Sequence, residues 1–327
     1  MDKVKTIKVK KISESKELGN SSLSLKLQGD NVNYTILNSL RRVSMSQIPI
    51  YAFTKFKFNK NTSVFNNNYL KLYISNIPIW NIKNDLEKVP EKKQEETKEI
   101  EFSESTGLVN DSLIDSNEEE NLDSTSLDNL TMFINYKNTT GSVYTVSTDD
   151  AQFYYNENKI KSPFPMKVPI VKLQNDQEIN FSAITDVSTE DEDAIFSPVT
   201  IFTWKELNDN EFDMTLESRG QLTEKRIVKL SCKLIVSMLQ DFFQKMPNNQ
   251  GLEGEIVIPN QDHTLGNLLA QGITNHDKSE YAAYYIKHPL KKEIVVKYKL
   301  KSSNLKTVIG DVITYYSKVF GEISKLI

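Results

Sequence analysis

Few positions in this 327-residue chain combine residue types that could perform chemistry. Asp262-His263 has the composition of an acid–base pair, Glu190-Asp-Glu-Asp193 that of an acidic cation site, and His263, His276 and His288 are the only histidines. Each falls short on spacing. The pair has no nucleophile and no third group to orient the imidazole, so Asp262 and Thr264 read instead as caps of a helix beginning there. The acidic run lacks the ligand pattern of a calcium loop and reads as a solvated loop that could meet a basic surface on a partner. Histidines about a dozen residues apart have no metal-ligand spacing and read as turn and surface residues. Cys232 is the only cysteine, which rules out intrachain disulfides and cysteine zinc sites, so neither a metal nor a cofactor is expected. Gly266 has no Gly-rich loop around it and reads as a close-packing position rather than a phosphate cradle. Tyr281 to Tyr285 alternates as a strand, which favours core and interface over base stacking. Arginine is scarce: Arg41, Arg42, Arg219 and Arg226 are the full set. The adjacent pair stands out, because lysine cannot imitate the planar guanidinium fork.

Two long helices and an internal repeat must position these residues. The first helix follows Gly220: Thr223 can cap it, Leu222 and Ile227 have the spacing of a hydrophobic staple, and Ile227, Leu230, Leu234, Met238 and Phe242 recur every three or four residues. Pro247 and Asn-Asn-Gln-Gly end it. The second follows Ser302-Ser303 with a broad apolar stripe of Leu305, Val308, Ile309, Val312, Ile313, Tyr316, Val319, Phe320 and Ile323. Near the start, Ser24-Leu-Lys-Leu27, a turn and Tyr34 to Arg42 match Glu255-Ile-Val-Ile258, a turn and His263 to Gln271. Thr35, Asn38 and Leu40 fall in register with Thr264, Asn267 and Leu269, and Asn33 and Asp262 are alternative N-cap candidates. Each copy then turns into strands and ends in one of the long helices. A unit of about 80 residues would leave its terminal stripe exposed, with a core seldom worth more than ~3–5 kcal/mol. Pairing the helices buries nine or ten large apolar side chains at roughly 1.5–3 kcal/mol each, which predicts an intramolecular pseudo-dimer. Its interface is expected to contain Thr35, Asn38, Leu40, Thr264, Asn267, Leu269, Leu234, Met238, Val312, Ile313, Tyr316 and Phe320.

The fold class expected is α+β. Residues 1–53 and 188–247 form the two parts of the first unit, and 248–327 form the second. Residues 54–187 form an inserted, mostly β subdomain, with strands over Phe53–Phe58, Tyr69–Ile74, Leu130–Tyr136, Ser142–Ser147 and Gln152–Tyr155. Within it, residues 84–131 hold fifteen of the 44 acidic residues against four of the 40 basic ones, with few aromatics, and are expected to be irregular. The rest carries 36 basic against 29 acidic residues, too mild an excess for an autonomous nucleic-acid binder. No apolar run approaches the roughly 18–20 residues needed to span a bilayer, and Met1 to Lys11 lacks the apolar centre of a signal peptide, so an intracellular compartment is expected.

The order of these segments resembles a known family. Thr35-Ile-Leu-Asn-Ser-Leu-Arg-Arg42 with Ile48-Pro49, Asn61-Thr-Ser-Val64 with Ile77-Pro-Ile79, Lys172 to Ile179, Phe196-Ser-Pro198 and Phe212 to Gly220 are similar to the third-largest subunit of RNA polymerase II, its archaeal counterpart and the amino-terminal domain of the bacterial alpha subunit. Asp262-His-Thr-Leu-Gly-Asn-Leu-Leu269, Ala283-Tyr-Tyr-Ile286 and His288-Pro-Leu290 resemble the eleventh subunit. Fusion of the two looks like the arrangement in several large cytoplasmic DNA viruses, which implies host cytoplasm and virion; a cellular eukaryotic protein would be nuclear.

The resemblance implies a non-catalytic subunit that nucleates polymerase assembly, holds the two largest catalytic subunits beside small ones, and meets DNA only through the complex, with no homodimer or membrane needed. It also implies that Arg41 and Arg42 grip a carboxylate or carbonyl of a large subunit. The zinc or iron–sulfur cluster that some relatives carry in the insertion has no cysteines to hold it here. A free-standing dimerisation or DNA-binding adaptor is the alternative; it would bind nucleic acid alone, with steep salt dependence.

Overall fold

The computed structural model describes residues 7–17, 20–80, 130–156, 158–246, 251–288, 290–302 and 304–327. It begins with an antiparallel pair, β1 (Lys8–Glu17) and β2 (Asn20–Gln28). In β2, buried Leu23, Leu25 and Leu27 alternate with Ser22, Ser24 and Lys26, the period of two that turns one face of a strand inward. Helix α1 (Tyr34–Ser46) follows, and Asn33 caps it by accepting from the Ile36 amide at 3.1 Å.

The chain then leaves this layer. β3 (Ile50–Asn61), α2 (Asn67–Ser75), β4 (Leu130–Lys137), β5 (Tyr144–Ser147), β6 (Gln152–Tyr155), β7 (Asn158–Ile160), β8 (Pro169–Leu173) and β9 (Glu178–Ser188) build a five-stranded sheet, β3-β9-β4-β6-β7, and a two-stranded ladder, β5-β8. These elements have a core of their own around Phe53, Phe153 and Phe181. The chain returns through β10 (Val199–Asn208) and β11 (Glu211–Ser218), whose tight turn places Asn210 at φ 63°, a left-handed conformation asparagine tolerates. β11 pairs with β2, giving the sheet β1-β2-β11-β10, and leads into α3 (Glu224–Lys245). Thr223 caps α3 by accepting from the Arg226 amide at 3.4 Å, and the staple residues Leu222 and Ile227 are both buried.

The second unit comprises β12 (Glu253–Pro259), α4 (His263–Thr274), β13 (Ser279–Ile286), β14 (Glu293–Leu300) and α5 (Leu305–Leu326). Its sheet order, β12-β14-β13, is that of β2-β11-β10 in the first. In both, the strand before the short helix is a neighbour of the strand that feeds the long helix, and that strand sits between the other two. One apolar core runs through both units, with Ile36 and Leu40 of α1, Ile235 and Leu239 of α3, Leu269 and Ile273 of α4, and the α5 stripe. α3 packs on α5, α1 on α3 and α4, and α4 on α5.

Three expectations change. Tyr69–Ile74, read as a strand, belongs to helix α2: Asn66 caps it by accepting from the Tyr69 amide at 2.8 Å, and its buried residues, Leu70 and Ile74, lie four apart. The second sheet runs from Ile50 to Ser188, and the strand after α1 enters it, so β10 takes its place in the first. On α3 the buried face includes Val228, Ser231, Cys232, Ile235 and Leu239, while Leu234, Met238 and Phe242 are half-buried at its margin. The rotation follows from close approach to α1, where the Ser44 and Ser231 hydroxyls lie 2.7 Å apart. Most of the acidic stretch 84–131 and the stop signal at 247–250 lie outside the described residues. Among the described residues no helix is long and apolar enough to cross a membrane.

Candidate functional site

The repeat brings its own chemistry-bearing residues together where α1 meets α4. Arg42, near the C-terminal end of α1, reaches across to the first turn of α4. Its Nη2 donates to Asp262 Oδ2 at 2.6 Å and its Nε to Thr264 Oγ1 at 3.0 Å. Asp262 Oδ1 accepts from the Thr264 amide at 2.8 Å, so one carboxylate both caps α4 and receives the guanidinium. An anion at a helix N-terminus, as Asp262 is at α4, is favoured by the peptide dipoles. Burial pushes the Asp262 carboxyl upward, but the bonds from Arg42 and the Thr264 amide outweigh it and hold the group below the usual carboxylate range. The Nε and Nη2 of Arg42, a residue expected to meet a large subunit, are thus engaged within the chain, where the repeat places the cap of α4 opposite α1.

The repeat partner of this contact is weaker. Thr35, the counterpart of Thr264, is buried and accepts from Asn267 Nδ2 at 3.4 Å, a donor one turn away from the position equivalent to Arg42. Asn38, the counterpart of Asn267, turns away from α4 and accepts from Trp204 Nε1 of β10 at 3.2 Å. Gln271 occupies the repeat position of Arg42, and its buried Oε1 has no hydrogen-bond partner among the described residues. Around this polar centre Leu40, Leu269, Val312 and Phe320 are fully buried, and Ile313 and Tyr316 nearly so. Burial pushes the Tyr316 phenol pKa upward. Tyr315 of α5 reaches the first unit, donating to Asn31 Oδ1 at 3.2 Å. At the other end, Lys306 Nζ sits 5.6 Å from the Phe243 ring centre, tying the start of α5 to the last turn of α3.

The remaining candidates sort as follows. Among the described residues Arg41 meets only Met45 Sδ, at 3.8 Å, and it is half-exposed. The acidic run lies against the end of α1: the Asp191 amide donates to the Ser46 carbonyl at 3.3 Å. Partial burial, then the nearby Asp262 carboxylate, raise the Asp191 carboxyl above its ordinary range. Glu192 accepts from the Ser188 hydroxyl and Asp193 from the Ile195 amide, so part of the run serves its own loop. His263 is exposed beside the Tyr284 hydroxyl at 3.4 Å; His288 accepts from the Leu290 amide within a turn. His276 is not a surface residue but is buried between the Lys278 amide and Asp311. A Cβ on Gly266 would come within 2.6 Å of the Tyr284 ring, so that glycine permits close helix–sheet packing. Among the described residues no three His, Cys, Asp or Glu side chains are grouped to hold a metal ion.

Sequence reasoning missed a second joint. Arg219 is half-buried and donates only to backbone carbonyls in the bonds seen: Ile195 at 3.0 Å, Ser197 at 3.4 Å, Ala194 at 3.5 Å and Asn76 at 3.0 Å. Two residues on, the Gln221 amide brackets Tyr51, accepting from its N–H at 2.8 Å and donating to its carbonyl at 3.1 Å. Between them Gly220 adopts φ 106°, and a Cβ there would lie 2.0 Å from Trp80 Nε1. This turn fastens the first sheet to the second. The scarcity of arginine that singled out Arg41 and Arg42 also pointed to Arg219.

Comparison with known proteins finds two domains of one family in the chain. The RNA polymerase Rpb3/Rpb11 dimerisation domain matches this chain twice, over 27–239 and over 253–326. A protein of Acanthamoeba polyphaga mimivirus named a "putative DNA directed RNA polymerase subunit" is 24% identical over 326 residues, covering 93% of this chain and 90% of that protein. The DNA-directed RNA polymerase subunit Rpo11 of Metallosphaera sedula is 47% identical over 45 residues, 14% of this chain and 50% of the archaeal one. That of Saccharolobus solfataricus is 44% identical over 43 residues, 13% and 47% of the two chains. The chain thus belongs to the RNA polymerase Rpb3/Rpb11 dimerisation-domain family and carries two such domains in tandem, as a fused, alpha-like polymerase subunit.

Proposed function

We propose that this subunit is the assembly platform of a DNA-directed RNA polymerase and takes no part in nucleotidyl transfer itself. Its two units, 1–53 with 188–247 and 248–327, pair as an intramolecular pseudo-dimer. The pair supplies in one chain the surface on which the two largest, catalytic subunits are aligned beside small ones. DNA is reached only through the complex, in an intracellular compartment. The observation that carries this reading is the Arg42 bridge to Asp262 and Thr264: a cross-unit contact between equivalent helices of two dimerisation domains. Arg41 and Arg42, both part-exposed, are the arginines placed to meet a carboxylate or carbonyl of a large subunit.

The test is affinity purification of the tagged chain from its native source with a transcription assay on the eluate. RNA synthesis that accompanies the two largest subunits, and is missing from the isolated chain, is the expected result. Recovery without those subunits, with salt-sensitive binding to DNA by the chain alone, would replace this reading with that of a free-standing adaptor.

A further inference from the structure

A helix on a folded domain normally buries its apolar stripe, yet α2 shows a second one to solvent. Leu70 and Ile74 enter the core, while Tyr69 and Leu72, one turn apart on α2, are 49% and 65% exposed and Phe65, just ahead of the N-cap Asn66, is 40% exposed. Val64 beside them is 72% exposed, and the Phe65 and Tyr69 rings stack with centres 4.4 Å apart. The loop presenting them is braced. Asn61 Nδ2 donates to the Phe65 carbonyl at 2.9 Å and to Asn67 Oδ1 at 2.8 Å, and Asn61 Oδ1 accepts from the Ser63 hydroxyl at 2.7 Å. Apolar groups held ready in one geometry reduce the ordering cost of binding.

Charge narrows the kind of occupant. Residues 50–80 carry Lys55, Lys57, Lys60 and Lys71 and no Asp or Glu. Lys60 is paired with Glu178 at 2.9 Å. Lys71, exposed on α2 between Tyr69 and Leu72, meets no carboxylate among the described residues. Apolar anchors flanked by a cation that has no carboxylate partner among the described residues fit an acidic segment with aliphatic or aromatic side chains. Resting on the polymerase reading above, we infer that the outer face of α2 docks an acidic, apolar-bearing segment of a neighbouring polymerase subunit.

The test places p-benzoylphenylalanine at position 72 of the full chain, irradiates the purified complex and maps the cross-linked peptide by mass spectrometry. Leu72 is exposed, so the substitution leaves the fold intact. The expected product joins position 72 to an acidic segment of another subunit, and adding Lys71→Glu lowers its yield about fivefold. A product with residues 84–131 of the same chain, a product with an uncharged segment, or no product overturns the inference. Absence of the large subunits from the unsubstituted preparation sinks the polymerase reading and this inference with it; their presence with none of the expected cross-link sinks this inference alone.

Discussion

Arg42 and Asp262 stand where α1 meets the start of α4, so the cluster combines Coulombic attraction, two side-chain hydrogen bonds and a favourable dipole at the Asp262 end. Both side chains are a little over a third exposed, which tempers the magnitude. Arg42→Ala is expected to cost about 1–2 kcal/mol in urea unfolding at neutral pH, and Arg42→Lys to restore only part, because an ammonium cannot serve Asp262 and Thr264 as a fork does. The pH dependence has a definite sign. Asp262 is held below its unfolded pKa, so its stabilisation is complete above about pH 4 and is lost as pH falls through the depressed value. Asp191 is raised and opposes this trend, since the folded state takes up its proton first. Unfolding followed from pH 6 to pH 3 should therefore fall more steeply with acid in Asp191→Asn and less steeply in Asp262→Asn. The sequence made Asp262 and Thr264 legible as caps and marked Arg42 as unusual. It could not show that these belong to one cluster, because 220 residues separate Arg42 from Asp262.

Among elements, the long helices were readable because their stripes persist over six turns: each of the nine apolar residues expected along α5 is buried. α2 was misread because Tyr69, Tyr73 and Ile74 favour strands locally and its exposed apolar residues hide the four-residue spacing of Leu70 and Ile74. α4 owes its position to two glycines. A Cβ at Gly272 would lie 2.4 Å from Val312 Cγ1 and 3.0 Å from the Tyr316 ring of α5. Gly272→Ala gains about 1 kcal/mol of helix propensity, but overpacking costs about 1–3 kcal/mol, so a net fall in melting temperature is expected. A rise would mean that α4 and α5 are less closely packed than described. At the second joint, Gln221→Ala withdraws the amide that brackets Tyr51. Faster hydrogen exchange at the Tyr51 amide, with a loss of about 1–3 kcal/mol, is expected.

For the whole molecule, the repeat at 24–42 and 255–271 foretold two related units, and the matching sheet orders β2-β11-β10 and β12-β14-β13 express it. What could not be read was which sheet β3 would join, since its alternation suits either, and pairing depends on β9 more than a hundred residues away. Both dimerisation domains are present in one chain and share a core, and the proposed pseudo-dimer therefore predicts a single copy per polymerase. Native mass spectrometry of the polymerase purified through this tagged chain tests the account most directly. One copy of the 37.5 kDa chain for each pair of largest subunits is the predicted composition. Two copies per pair, or a chain that purifies as a homodimer without the large subunits, would contradict it.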